Sequence, residues 1–219
     1  MAFVVVCDFD GTITLEDTGK KLLSSLTDEN WRYYDNLVIE GKMGTREALL
    51  AQYNLIKEVD IKEVEKIISS IQIDETFFAF YRWLREKNLP FMILSDGFIE
   101  NIRYILKNNG IEPNEVVIKA NSAEIVNGSF QISFLTDPCE HGCANCKYSH
   151  VKKLKDQGYS VVYIGDGLSD ILPAQELADY VFAKIGGDLA RKLKDRNNVK
   201  IFQDFEEIRI ELEKLLEQH

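Results

Sequence analysis

Val4-Val5-Val6-Cys7-Asp8-Phe9-Asp10-Gly11-Thr12 carries an apolar run straight into two acids and a glycine. The pattern recurs twice. Phe91-Met92-Ile93-Leu94 runs into Ser95-Asp96-Gly97, and Val161-Val162-Tyr163-Ile164 runs into Gly165-Asp166-Gly167-Leu168-Ser169-Asp170. Runs that are apolar throughout, rather than alternating, read as strands covered on both faces, as in a parallel sheet. Similar runs at residues 116–118, 181–183 and 199–202 extend the set. In an open α/β sheet, ligands bind outside the carboxyl ends of the strands. The acids and glycines collected at these ends therefore mark a candidate site.

Helical patterns lie between most of the runs. Residues 74–87 put Phe77, Phe80, Tyr81 and Leu84 on one face and stop at Asn88-Leu89-Pro90; residues 98–109 end at Gly110. Patterns at 148–157, 169–177 and 205–216 complete the alternation. Strand and helix in turn imply right-handed crossovers and a doubly wound, Rossmann-like parallel α/β sheet. A strand-helix-strand unit needs about 30 residues, yet the first run ends at Cys7 and the second begins at Phe91. The surplus, residues 15–73, is helical in pattern at 20–26, 30–39, 45–55 and 61–71, with Thr45 and Asp60 as expected N-caps. It reads as a helical cap inserted into a catalytic core formed by 1–14 and 74–219. Asn127-Gly128, between residues 124–126 and 130–132, signals a small β-hairpin.

The 219 residues include 26 basic and 36 acidic side chains, a net charge of 26 − 36 = −10. That balance argues against a general binder of nucleic acid or anionic membranes, which needs a basic face. No stretch approaches the 18–20 or so apolar residues of a membrane span, and the N-terminus lacks the basic and apolar regions of a signal peptide. Four cysteines are too few for a disulfide-built scaffold of this size. A soluble, cytoplasmic protein is expected, with no nucleic-acid or membrane partner. Nothing in the sequence reports an oligomeric state.

Asp8 and Asp10, two apart in an extended segment, project to the same side, and Asp166, at the tip of another strand, converges on them. Such carboxylates repel one another unless a cation compensates them. An all-oxygen set without histidine favours Mg²⁺ over Zn²⁺. Ser95 and the N–H groups of Asp96 and Gly97 suit phosphate oxygens, and a carboxylate can attack phosphorus. One Asp-Gly pair alone is an ordinary turn; three at successive strand ends call for another explanation.

Asp8-Phe9-Asp10-Gly11-Thr12-Ile13-Thr14 resembles the first motif of the haloacid dehalogenase superfamily, whose commonest members are Mg²⁺-dependent phosphatases. Ser95 resembles the second motif and Gly165–Asp170 the fourth, in the family's order. The inserted helices are similar to the C1-type cap of the phosphoserine phosphatase-like branch. The resemblance implies Asp8 as nucleophile, Asp10 as general acid/base, and Mg²⁺ held by Asp8, Asp166 and the main-chain carbonyl of Asp10, with Asp170 supporting the metal's shell. It implies that Ser95, with Asp96 or Gly97, binds the phosphoryl group of a small phosphorylated metabolite. The third motif is a lysine ahead of a helix; among Lys147, Lys152 and Lys153, Lys147 has the matching position. Asp17 lies where phosphoserine enzymes carry a glutamate, and Trp31, Tyr33, Tyr34 and Arg46 are cap residues with helical spacing.

Cys139-Glu140-His141-Gly142-Cys143-Ala144-Asn145-Cys146 precedes Lys147. A zinc site using Cys139, His141, Cys143 and Cys146, a disulfide between two of the thiols, and plain free thiols all fit this run. A cysteine-rich run here also resembles the methionine-salvage, MtnX-like phosphatases. Cys7 reads as a small buried hydrophobe. The functional classes in play are a Mg²⁺-dependent phosphomonoesterase, a phosphotransferase on the same fold, and a zinc or thiol binding protein that keeps the fold passively.

Overall fold

The computed structural model describes residues 2–218, which form a mixed α/β fold of two compact units. The first comprises Met1–Leu15, Gln72–Leu94 and Lys147–His219, the second Glu16–Ile71 and Ser95–Cys146. Seven strands form one sheet: β1 (Phe3–Cys7), β2 (Phe91–Phe98), β3 (Val117–Val126), β4 (Ser129–Ser133), β5 (Ser160–Gly165), β6 (Tyr180–Lys184) and β7 (Val199–Phe202). Their order is β4-β3-β2-β1-β5-β6-β7. β1 pairs in parallel with β2 and β5, β5 with β6, and β6 with β7, whereas β3 and β4 pair antiparallel. The doubly wound sheet expected from the apolar runs is present, and β2 continues four residues past Leu94 into the Ser95 segment.

In the first unit, every residue of β1 and β5 is buried. One layer of core joins Val4, Val6, Val161, Tyr163 and Val181 to Val151 of α7 (Lys147–Asp156), Ala174 of α8 (Ile171–Glu176) and Leu189 of α9 (Asp188–Leu193). A second is aromatic: Phe205 of α10 (Phe205–Glu217) meets Phe77 and Phe80 of α5 (Glu75–Glu86) with ring centroids 5.1 and 5.4 Å apart. Each such ring buries a large apolar area, about 2 kcal/mol or more per side chain.

The second unit holds α1 (Thr18–Leu26), α2 (Arg32–Ile39), α3 (Thr45–Tyr53), α4 (Ile61–Ile68), α6 (Ile99–Asn108) and the β3–β4 hairpin. The Tyr53 ring stands edge-on to both Phe98 and Phe130 at 4.9 Å, so α3 shares a core with the segment after Ser95. Asn127 and Gly128 both have positive φ (51° and 76°), the mirror-image turn that a two-residue hairpin requires. Asp60 caps α4 through Lys62 N–H, as expected. Thr45 does not cap α3: Gly44 holds the cap position, and Thr45 Oγ1 instead accepts from Ala144 N–H at 2.8 Å. No helix among the described residues is long and apolar enough to cross a membrane.

Candidate active site

In the first unit, the β1 and β5 ends bring the acids together. Asp8 N–H donates to Ile164 O at 2.9 Å, which pins the start of the first turn to the neighbouring strand. The turn closes on Phe9, whose carbonyl accepts from Ile13 N–H and Thr14 N–H at 2.9 and 3.0 Å. Gly11 has φ +79°, and a Cβ there would lie 2.7 Å from Asp166 Oδ2. Only glycine permits both the conformation and the approach of that acid. Thr12 Oγ1 then donates to Asp166 Oδ1 at 2.8 Å and holds it against the turn.

Asp170 is fully buried. Its Oδ2 accepts from the N–H groups of Asp166 and Gly167 at 3.1 and 3.0 Å. Its Oδ1 accepts from Tyr163 Oη and from Lys147 Nζ, both at 2.7 Å. Lys147, the first residue of α7, is also buried, and its Nζ lies 2.6 Å from Asp8 Oδ1. One ammonium thus joins two carboxylates that are far apart in sequence. Burial pushes the Asp8 carboxyl well above the usual carboxylate range, and Asp170 and Asp166 push it further, against the pull of Lys147. Tyr163 is raised by burial and then by Asp170; Cys7 is raised by burial and then by Asp8.

Carboxylate oxygens of Asp8, Asp166 and Asp170 all lie within 4.8 Å of one another. Three carboxylates against the Lys147 ammonium leave a deficit of two charges. An all-oxygen donor set with that deficit fits a hard divalent cation such as Mg²⁺. Asp10 contributes no carboxylate oxygen to the trio.

Ser95, Asp96 and Gly97 belong to the second unit. Gly97 N–H donates to Ser95 Oγ at 2.9 Å. Two buried asparagines tie this segment down: Asn145 Nδ2 donates to Ser95 O at 2.9 Å, and Asn121 Nδ2 to Asp96 O at 2.8 Å. Cys139, Cys143 and Cys146 bring their sulfurs within 4.8 Å of one another. All four cysteines are thiols, with no disulfide. His141 is outside the sulfur trio and faces Glu140 at 3.7 Å, half-exposed, so the four-ligand zinc set, one of the three readings of this run, is not assembled. Burial alone would raise the Cys139 thiol, but hydrogen bonds led by Cys143 N–H outweigh it and hold the thiol below its ordinary value.

Other residues noted in the sequence have structural roles. Asp17 is the N-cap of α1, accepting from Lys20 N–H at 2.9 Å. Arg46 Nε donates to Cys143 O, its guanidinium also reaches Thr136 O, and it stacks over the Phe134 ring at 4.0 Å. Lys152 pairs with Asp156 on the surface, leaving Lys147 as the buried lysine of the three. The sequence alone assigns no separate role to Thr12, Tyr163, Asn121 or Asn145. Tyr163 is hidden inside an apolar run, where only its hydroxyl sets it apart.

A family model for haloacid dehalogenase-like hydrolases matches residues 5–175. The chain belongs to the haloacid dehalogenase-like hydrolase family. It is 27% identical over 223 residues to the 2-hydroxy-3-keto-5-methylthiopentenyl-1-phosphate phosphatase of Bacillus cereus strain B4264, with 99% of each chain covered. The enzyme of the same name from Bacillus anthracis is 26% identical over 224 residues, again with 99% of each covered. A solved phospho-aspartyl intermediate analogue of phosphoserine phosphatase superposes with a TM-score of 0.73 at 21% identity, covering 94% of this chain and 97% of that one. A cytosolic 5'-nucleotidase IIIB bound to cytidine gives 0.59 at 17% identity, covering 99% and 85%. These structures share the haloacid dehalogenase-like fold with this chain.

Proposed function

We propose that this haloacid dehalogenase-like hydrolase is a Mg²⁺-dependent phosphomonoesterase of the cytoplasm, acting on a small phosphorylated metabolite through an aspartyl-phosphate on Asp8. The observation that carries the reading is the buried Lys147 ammonium, shared between Asp8 at 2.6 Å and Asp170 at 2.7 Å. A lysine held this way orients one Asp8 oxygen and places positive charge where a phosphoryl group must come.

In the first step Asp8 attacks phosphorus; a P–O bond forms to its carboxylate while the ester P–O bond breaks. Asp10 gives its proton to the departing alkoxide. Asp10 then takes a proton from water, whose oxygen attacks the same phosphorus and releases inorganic phosphate, restoring Asp8. The residues that would hold Mg²⁺ are Asp8, Asp166 and the main-chain carbonyl of Asp10, with Asp170 supporting them. When bound, the ion supplies the positive charge that the carboxylates lack and offsets the charge of the phosphoryl oxygens. By their place in the family's second motif, Ser95 and the N–H of Asp96 or Gly97 bind phosphoryl oxygens. By the same family likeness, residues 15–73 are assigned to the cap and residues 1–14 and 74–219 to the catalytic core.

Hydrolysis of p-nitrophenyl phosphate, with and without Mg²⁺, tests the reaction on wild type and Asp8→Asn. Mg²⁺-dependent turnover that disappears in Asp8→Asn is expected; equal turnover by the variant overturns the nucleophile. A panel of phosphorylated metabolites then identifies the substrate. The 2-hydroxy-3-keto-5-methylthiopentenyl 1-phosphate ester for which the Bacillus relatives are named is the first to try.

A further inference from the structure

We propose that Cys139, Cys143 and Cys146 form a second metal site, binding one Zn²⁺ through three thiolates and sharing no residue with the carboxylate trio. The three sulfurs all lie within 4.8 Å of one another. Tetrahedral zinc with Zn–S bonds of about 2.3 Å holds its sulfurs about 3.8 Å apart. The trio therefore needs only a small inward movement to close on an ion. The donor set contains sulfur and no oxygen, which selects a soft or borderline cation and rejects Mg²⁺.

The backbone around the trio is arranged before any ion arrives. Gly142 turns with φ +63°, and its N–H donates to Cys139 O at 2.9 Å. Cys143 N–H points at Cys139 Sγ, 3.4 Å away, a donor suited to a thiolate. The start of α3 clasps the same turn: Arg46 N–H donates to Gly142 O at 2.9 Å and Thr45 Oγ1 accepts from Ala144 N–H at 2.8 Å. Gly44 is packed so closely on it that a Cβ would lie 2.6 Å from Gly142 O. Cys146 N–H is fixed in turn by Thr136 Oγ1 at 3.0 Å. A segment of eight residues thus aims three sulfurs at a single point from a braced loop. A disulfide would join two of them and leave the third without a role. Cys139 and Cys143 are only partly buried, so the fourth position is left to solvent rather than to His141. The ion cross-links residues 139–146 within the loop that α3 already clasps, and its binding energy is stability of that loop.

The test uses the full chain purified under reducing conditions. Elemental analysis is expected to find about one zinc per chain, not displaced by excess Mg²⁺. After stripping, Co²⁺ titration is expected to give thiolate-to-cobalt charge transfer and the strong visible bands of a tetrahedral ion, both removed by added Zn²⁺. Cys143→Ser is expected to lose zinc, and His141→Ala to retain it. Limited proteolysis between residues 136 and 146 is expected to accelerate on zinc removal. Failure of the reduced wild-type chain to take up Co²⁺ or Zn²⁺ overturns the site, whether or not Cys143→Ser folds. Iron–sulfur absorption in its place, or metal loss in His141→Ala, overturns the three-thiolate zinc assignment. None of these readouts depends on phosphatase turnover.

Discussion

Tyr163 donates its hydroxyl to Asp170 Oδ1 at 2.7 Å, the oxygen that also accepts from Lys147 at 2.7 Å. With two main-chain N–H groups on the other oxygen, Asp170 is gripped by four donors. Those bonds leave the carboxylate no rotational freedom, and Lys147 inherits that rigidity. On the proposed mechanism Asp170 and Tyr163 are positioning residues that act on Asp8 through the lysine.

Tyr163→Phe isolates that effect. The ring stays in its fully buried place in β5, and one hydrogen bond to Asp170 is removed. A stability loss of about 1 kcal/mol is expected from thermal or urea melts. If Asp170 directs Lys147 as described, kcat falls about tenfold, the equivalent of roughly 1.4 kcal/mol, while KM stays near its original value. A wild-type kcat in a variant that is measurably less stable would assign the tyrosine to packing alone.

Lys147→Met keeps most of the side chain's length and removes its charge. Asp8 and Asp170 then share a buried space without the cation that bridges them. Breaking such a pair costs about 3–5 kcal/mol, and loss of a preorganised charge at the reacting group lowers kcat about 10²–10³-fold. Added Mg²⁺ is expected to raise the melting temperature of the variant by more than that of wild type, since it supplies charge the lysine no longer does. An equal shift in both proteins counts against a shared electrostatic site.

The strand ends were legible because buried parallel strands are apolar throughout and stop abruptly at polar residues. β1, β5 and β6 lie where the apolar runs predicted them to within a residue at each end. The carboxylates were legible for the same reason: Asp8 and Asp166 each follow directly on such a strand. The supports were not. Asn145 bonds Ser95 from 50 positions away and Asn121 bonds Asp96 from 25, so neither leaves a local pattern. Thr45 looked like an N-cap by position, but its hydroxyl is taken by Ala144, 99 residues on. α9 has six residues, too few to display a helical period. His141 has the spacing of a ligand, yet Gly142 turns the chain so that the sulfurs, and not the imidazole, converge.

Gly165→Ala is expected to be far more damaging than its chemistry suggests. A Cβ at Gly165 would lie 2.5 Å from Asp170 Oδ2 and 2.7 Å from its Cγ, and the four-donor grip keeps that carboxylate from giving way. Overpacking of this kind costs about 1–3 kcal/mol or more, and here it also displaces Lys147. Gly110→Ala is the comparison: φ is +75° there, but a Cβ would meet nothing within 4 Å. Only the left-handed backbone penalty of about 1–2 kcal/mol applies. Gly165→Ala should lose activity in whatever fraction remains folded, while folded Gly110→Ala keeps the wild-type kcat. Equal kcat losses in the two variants would remove the steric argument.

Asp74 sets a pH dependence remote from the reacting groups. It caps α5 through Thr76 N–H at 3.0 Å and also accepts from Thr76 Oγ1 at 2.5 Å and Lys184 Nζ at 3.1 Å. Thr76 Oγ1 in turn accepts from Phe205 N–H at 2.9 Å, which ties the start of α5 to α10. Burial alone would raise the Asp74 carboxyl, but these hydrogen bonds and the lysine outweigh it and hold the group below its ordinary value of 3.8. A lowered folded value means that the unfolded chain binds this proton first as pH falls. The stabilisation is therefore complete above the unfolded value and is lost as pH drops through it toward the folded one. Asp74→Asn keeps a capping side chain but removes the charge at every pH. It is expected to cost about 1.5–3 kcal/mol at neutral pH, the range for hydrogen bonds to a charged group such as those from Thr76 and Lys184. Melts of both proteins from neutral pH down to below 3.8 check the sign: the gap between them narrows at the acid end, and a gap that widened there would show that Asp74 is not held ionised by Thr76 and Lys184.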